Sequence, residues 1–284
     1  PVLSAAGAAH AVIGDKATDA VGRGLSKLGM PMWSSAFPLA YYPHAIKTQP
    51  SELKVVYFPS CINQTMGKSK GQSTPLIDKM VALMEKAGYE VIFPKNMKNL
   101  CCGTIWESKG MPDIADRKAK ELDDALFEAS DGGRYPVLCD QSPCLHRMRN
   151  TIKRVKLYEP VEFIYEYLAP HLRFVQTDEP VALHFTCSTR HMKLNDMFVA
   201  LAGMCTTKVV VPEEVGCCGF AGDKGFTDPE VNRYALRKLR KQLEAAGVKR
   251  GFSNSRTCEI GLTVNGGVPY QSIAYLVDEC TIKK

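Results

Sequence analysis

The residues with the clearest chemistry are cysteines, and their order repeats. Leu100-Cys101-Cys102-Gly103 returns further along as Gly216-Cys217-Cys218-Gly219. A lone cysteine precedes each pair at the end of an apolar run, in Phe58-Pro59-Ser60-Cys61 and in Phe185-Thr186-Cys187. A further cysteine follows each, Cys144 and Cys258, with Cys139 as an additional thiol in the first half. Thiolate is the ligand of zinc, copper(I) and iron–sulfur clusters. Neighbouring side chains of an extended strand point to opposite faces. Two adjacent thiolates therefore reach one centre only from a bend, and the glycine that follows permits positive φ and close backbone approach. Four thiolates from one repeat complete either a zinc site or an iron–sulfur cluster. Buried free cysteines would be scattered and would not recur in the same order. A disulfide scaffold fits poorly with an odd count of 11 cysteines in a long chain of mixed helix and strand patterns.

The elements that must position these thiols can be read in order. Residues 10–28 have apolar positions three or four apart, and Gly29 and Pro31 stop the pattern, which predicts an amphipathic helix. Residues 30–53 are a proline-punctuated connector. Lys54–Phe58 then reads as a strand leading to Cys61. Thr74-Pro75 opens a helix closed by Gly88, Tyr89–Phe93 is a strand before the Cys-Cys-Gly bend, and Pro112 to about Ala129 is a long helix. Pro136–Leu138 is a strand ending at Cys139, and Pro160–Leu168 a closing helix. The second half repeats the order. It has a strand over Val181–Thr186, a helix over 191–203, a strand over Lys208–Val211, one long helix over Pro229–Ala246 and a strand over Gly251–Asn254. The closing segments echo each other as Pro160-Val-Glu-Phe-Ile164 and Pro269-Tyr-Gln-Ser-Ile273.

Strand–helix–strand–helix–strand predicts an α/β fold. It consists of two pseudo-symmetric repeats, each a small parallel sheet flanked by helices, with an N-terminal helical segment. The divisions expected are 1–53 (helix and connector), 54–170 (first cysteine-rich repeat) and 171–284 (second). The motif cysteines then fall after strand carboxyl ends, where open α/β sheets bind ligands.

Hydrophobic residues make up 45% of the chain and charged residues 23%, as in ordinary globular proteins. The net charge is 36 − 30 = +6 with the basic residues spread out, so nucleic-acid binding is not indicated. No apolar run approaches a membrane span. The start Pro1-Val2-Leu3 reads as the cut edge of a longer protein rather than a signal peptide. No Gly-x-Gly-x-x-Gly follows a strand, so no dinucleotide site is expected.

At the cysteine motifs the chain resembles a known family over about residues 54–280. This is the duplicated cysteine-rich domain named for Cys-Cys-Gly, found in heterodisulfide reductases, glycolate oxidase iron–sulfur subunits and the carboxyl-terminal part of FAD-linked D-lactate dehydrogenases. The wording Tyr57-Phe-Pro-Ser-Cys61-Ile-Asn-Gln-Thr-Met-Gly67 is most similar to the last branch, as are the stretches 100–110 and 253–262. The resemblance implies an oxidoreductase module passing electrons from FAD toward a quinone or cytochrome. It implies Cys61, Cys101, Cys102 and Cys144 as one ligand set and Cys187, Cys217, Cys218 and Cys258 as the other; Cys139, near the first bend, is a further metal candidate by position alone. The family signature has one more cysteine three residues before the last; here Gln141 and Ser255 stand there. This departure counts against a five-thiolate cluster. It leaves a four-thiolate cluster in each half, or one occupied site beside a vestigial one.

FAD and a ferredoxin-like cysteine run are expected upstream or on a partner domain or subunit, with no catalytic or FAD-binding residue in this chain and no substrate turnover by it alone. The location implied is cytoplasmic, with peripheral association at the cytoplasmic membrane face. The alternative from another class is a non-catalytic zinc-thiolate structural or interaction domain. His184 and His191 flank Cys187, and His146 follows Cys144; as neighbours of a metal loop they are more often supporting groups than ligands. Cys205 and Cys280 match no motif position and read as packing residues. Arg233, Arg237, Lys238, Arg240 and Lys241 read as a solvated helix face in preference to a dock for an acidic partner.

Overall fold

The computed structural model describes residues 2–31, 33–69 and 72–284. Pro1, on which the reading of a cut edge rests, lies outside the described residues. The chain opens with α1 (Val2–Lys27), broken at Gly14, whose φ of 76° and ψ of 172° are not helical. The first repeat holds β1 (Lys54–Phe58), α2 (Cys61–Thr65), α3 (Leu76–Lys86), β2 (Glu90–Ile92), α4 (Thr104–Ser108), α5 (Pro112–Ala129), β3 (Val137–Cys139), α6 (Ser142–Thr151), β4 (Leu157–Tyr158) and α7 (Pro160–Phe163). A π-type turn over Ile164–Leu168 continues α7, and β5 (Leu172–Phe174) follows. The second repeat holds β6 (Val181–Leu183), α8 (Cys187–His191), α9 (Asn195–Cys205), β7 (Val209–Val210), α10 (Pro229–Ala235), α11 (Leu239–Ala245), β8 (Arg250–Phe252), α12 (Arg256–Gly266), β9 (Tyr270–Gln271), α13 (Ile273–Glu279) and β10 (Thr281–Lys283).

The two main sheets have the same topology. Their strand orders are β2-β1-β3-β4 and β7-β6-β8-β9, parallel throughout. This is the duplicated α/β architecture expected from the cysteine order. Both faces of each sheet are covered, which is why β1 reads as an unbroken apolar run rather than an alternating one. Val56 and Phe58 face outward into a core with Leu122, Leu126 and Leu145 of α5 and α6. Val55 and Tyr57 face inward, into a core shared by both repeats. That core joins Leu138 of the first sheet to Val181, Leu183 and Phe252 of the second through α3, α7, α9 and α13. On the far side, Ala182 packs with Phe220, Leu236, Leu239 and Leu243.

Sequence order and packing partner part company in this central layer. The last helix of the second repeat packs against the first helix of the first: Lys79 and Lys86 of α3 both reach Asp278 of α13 at 2.5 Å. The Tyr275 hydroxyl donates to the Thr74 carbonyl at 2.8 Å. β5 pairs antiparallel with β10, fastening the link between the repeats to the end of the chain.

Several local expectations change. The helix expected over Pro229–Ala246 is two helices, interrupted at residues 236–238. Each repeat gains a fourth, two-residue strand, too short to leave a periodic signal. The closing helices correspond through their caps: Glu159 caps α7 and Ser272 caps α13, so Pro160 matches Ile273 and not Pro269. Cys144 and Cys258 lie in helices, each the third residue of its element.

Glu159 shows what joining the repeats costs. Its carboxylate is fully buried; it accepts from the Val161 amide at 2.6 Å and from Asn254 Nδ2, in the other repeat, at 2.8 Å. Burial pushes its pKa up to about 7 in spite of both donors. The folded state therefore holds this proton more tightly than the unfolded chain, whose carboxyl titrates near 4.5. The stability it contributes is complete below pH 4.5 and is lost as pH rises through about 7. Denaturant unfolding of wild type and Glu159→Gln between pH 5 and 8 should show wild type losing, relative to the variant, on the order of 3 kcal/mol. Parallel curves would contradict this assignment.

Candidate metal centre

Each set of four thiols is assembled from three loops at the carboxyl edge of its sheet. Cys61 and Cys187 are the first residues of α2 and α8, after β1 and β6. The Cys-Cys pairs follow β2 and β7, and Cys144 and Cys258 enter from the first turns of α6 and α12. In the second set, Cys187 Sγ lies 3.6 Å from Cys217 Sγ, and Cys218 Sγ lies 2.9 Å from Cys258 Sγ. In the first set the thiols influence one another in sequence, Cys61 with Cys101, Cys101 with Cys102, and Cys102 with Cys144. The second set thus meets in two pairs, and among the described residues no three metal-binding side chains already converge as a single-ion site.

One thiol in each set is made more acidic by its neighbours. Hydrogen bonds from Cys102 and Cys61 push the Cys101 pKa far down, and those from Cys187 and Cys218 do the same for Cys217. The donors shift up in turn: Cys61 through its bond to Cys101, Cys187 through its bond to Cys217. Backbone amides add to this. Gly103 N and Gly219 N each lie 3.3 Å from the first sulfur of the pair, and Phe220 N lies 3.5 Å from Cys218 Sγ. Soft sulfur donors, amide protons aimed at them and mutually close thiols are what a thiolate-bound metal centre requires. Cys61, Cys187 and Cys217 are exposed, Cys101 is half-buried, and Cys102, Cys144, Cys218 and Cys258 are buried. Each set therefore straddles the protein surface.

Glycine after the pair is a steric necessity. Gly103 has φ of 87°, and a Cβ there would lie 2.4 Å from the Ala115 carbonyl oxygen. Gly219 has φ of 71°, and a Cβ would lie 2.8 Å from the Val231 carbonyl oxygen. The bend also buries the second cysteine's carbonyl, and the two repeats satisfy it differently. In the first, Arg147 of α6 donates through Nε to Cys102 O at 3.0 Å and is held by Asp116 at 2.8 Å and by Glu107. In the second, Asn232 stands at the position of Asp116 and donates directly to Cys218 O. Gly261 replaces Arg147, and a Cβ there would lie 2.5 Å from Asn232 Nδ2. These residues escaped the sequence reading because they lie on helices distant in sequence; only the shared offset from the cysteines could have exposed them.

The two positions that depart from the family signature also have a visible role. Gln141 Nε2 donates to Ser255 Oγ at 3.1 Å, and Gln141 Oε1 accepts from the Arg256 amide at 3.1 Å. Gln141 and Ser255 precede α6 and α12, so they join the repeats to each other. Further links surround them: Ser142 with Thr189 at 3.0 Å, Arg256 with Asn63 at 3.0 Å, and Lys109 with Asp223 at 2.8 Å. The two thiol sets consequently flank one inter-repeat seam.

Cys139 is fully buried at the end of β3, with its Sγ 3.8 Å from Gln141 O. The thiol–thiol bonds given above do not include it. The His146 and His191 rings face each other across the seam at 5.6 Å. His184 is buried, and burial lowers its pKa to about 4, so the ring is neutral. Cys205 and Cys280 are buried against each other, away from both sets; the bond to Cys280 pushes the Cys205 thiol up. In the basic run, Arg233 pairs with Glu230, Lys238 with Glu214, and Arg237 stacks on Tyr234, as on a solvated face.

The profile of the Cysteine-rich domain (CCG) family matches residues 55–149 and 181–263, so the chain belongs to that family. The chain is similar to Lactate utilization protein A 1 of Bacillus mycoides (strain KBAB4), with 22% identity over 248 residues spanning 80% of this chain and 97% of that protein. Among solved structures, a hypothetical protein from Helicobacter pylori aligns with a TM-score of 0.56 and 11% identity. That match covers 91% of this chain and 53% of the other, and it shows the fold alone. Picrophilus torridus aspartate racemase, with a TM-score of 0.37, 8% identity and coverage of 82% and 96%, is too distant to carry an argument. Among the described residues no helix is long and apolar enough to cross a membrane.

Asn232→Ala leaves Cys218 O buried without its donor and should cost about 1–3 kcal/mol in denaturant unfolding. A loss within a few tenths of a kcal/mol would show that the carbonyl finds another partner.

Proposed function

We propose that this chain is an iron–sulfur electron-transfer unit of an oxidoreductase acting on lactate or a similar 2-hydroxy acid. In this reading Cys61, Cys101, Cys102 and Cys144 hold one cluster and Cys187, Cys217, Cys218 and Cys258 hold a second. The observation that carries it is the assembly of two equivalent four-thiol sets, each with a glycine-enforced bend and amide protons on its sulfurs. When bound, such a group accepts and donates single electrons. The polypeptide supplies four thiolates per site, buries two of them, and leaves the others at the surface where an electron partner can approach. The lactate assignment draws on the named relative. The finer reading places FAD on another domain or subunit, beside a ferredoxin-like unit, with a quinone or cytochrome as acceptor. Peripheral contact with the cytoplasmic membrane face belongs to the same reading.

The test is anaerobic purification with visible spectra and iron and zinc analysis of wild type, Cys102→Ser and Cys218→Ser. Wild type should be coloured and contain iron and labile sulfide, and each variant should lose about half the iron. Colourless protein with stoichiometric zinc would support a structural zinc domain instead, and unchanged iron in both variants would remove the paired-site reading.

A further inference from the structure

The two thiol sets are near-copies, but the strand positions beneath them are not. Three residues before Cys61 and five before Cys144 stand Phe58 and Cys139, partners across β1 and β3 and both at most 1% exposed. Three before Cys187 and five before Cys258 stand His184 and Ser253. An apolar floor in the first repeat is thus a polar pair in the second. Ala182, on the same strand face as His184, shares its core with Val215 and Cys218. This places the imidazole under the Cys217-Cys218 loop, within electrostatic reach of Cys217.

Ser253 Oγ lies 3.2 Å from His184 Nδ1, its one side-chain bond among the described residues. When the hydroxyl donates to Nδ1, the ring proton stands on Nε2. Nε2 is buried and has no partner among the described residues. A buried donor left unmet is costly. Its acceptor is then a group the polypeptide does not itself provide.

Resting on the iron–sulfur reading above, we propose that His184 is a positioning residue whose Nε2–H donates to sulfur at the second site, so that this site takes an electron more readily than the first. A donor to sulfur favours the more negative, reduced state, and hydrogen bonding to sulfur is one of the determinants of cluster potential. One electron, delivered singly by a reduced flavin, enters each site; no bond in the chain breaks and His184 keeps its proton. Electron flow would then run from the first repeat, with its apolar floor, to the second.

The experiment is a redox titration followed by electron paramagnetic resonance on the full chain, purified anaerobically, as wild type, His184→Phe and His184→Gln. Wild type should show two midpoint potentials, with nitrogen coupling on the signal of the higher. His184→Phe, which copies the first repeat, should move the higher potential down toward the lower and abolish that coupling with iron content retained. His184→Gln, which keeps an N–H, should restore most of the shift. If His184→Phe fails to fold or to hold iron, Ser253→Ala decides, since freeing the ring must lower the same potential. Potentials that stay in place with iron retained overturn this inference alone. Absence of iron from every form, wild type included, overturns the cluster reading and this inference with it.

Discussion

Turning the chain so that two adjacent cysteines face one centre buries the carbonyl of the second, and much of the surrounding structure answers that constraint. The turn needs positive φ and no Cβ, hence Gly103 and Gly219. The carbonyl needs a donor from a neighbouring helix, since a buried acceptor without one is costly. Arg147 with Asp116 and Asn232 with Gly261 are two ways of meeting the same buried carbonyl. Moving only one partner of either exchange would leave a clash or an unmet group, so the donor and its neighbour are coupled positions.

Duplication explains the topology but not the interface. Each sheet could cover its outer face with its own helices, as α5 and α6 do for the first. The inner faces are closed jointly, through a helical layer drawn from both repeats. The seam between repeats is polar where it passes the thiol sets, through Gln141 and Ser255, Arg256 and Asn63, and Glu159 and Asn254. Groups this deeply buried are tolerated because they meet each other, and they fix one registration of the two halves.

The fold class, the repeat and the thiol sets were legible in the sequence because the cysteine order and the strand–helix alternation share one period. The helix from Pro112 to about Ala129 was readable, since Pro at the first helical position agrees with the spacing of Leu122 and Leu126, both buried. The fourth strands were not, because two residues carry no periodicity. The helices holding Cys144 and Cys258 were hidden by their polar first turns, which are buried against the opposite repeat. Leu236, between α10 and α11, keeps the apolar spacing across the break, so the pattern alone reads as one helix. Cys139 was a candidate by proximity in sequence, and its place at the end of β3 sets it under the first thiol set in the position that Ser253 takes in the second. The inter-repeat bonds depend on residues more than a hundred positions apart and have no local signature.

The central claim is that each repeat holds one iron–sulfur group on four thiolates. Anomalous scattering at the iron edge from crystals grown and frozen anaerobically tests it most directly. The account predicts two iron peaks, one at Cys61, Cys101, Cys102 and Cys144 and one at Cys187, Cys217, Cys218 and Cys258. An absence of iron at both, or a peak at the zinc edge in their place, would contradict it.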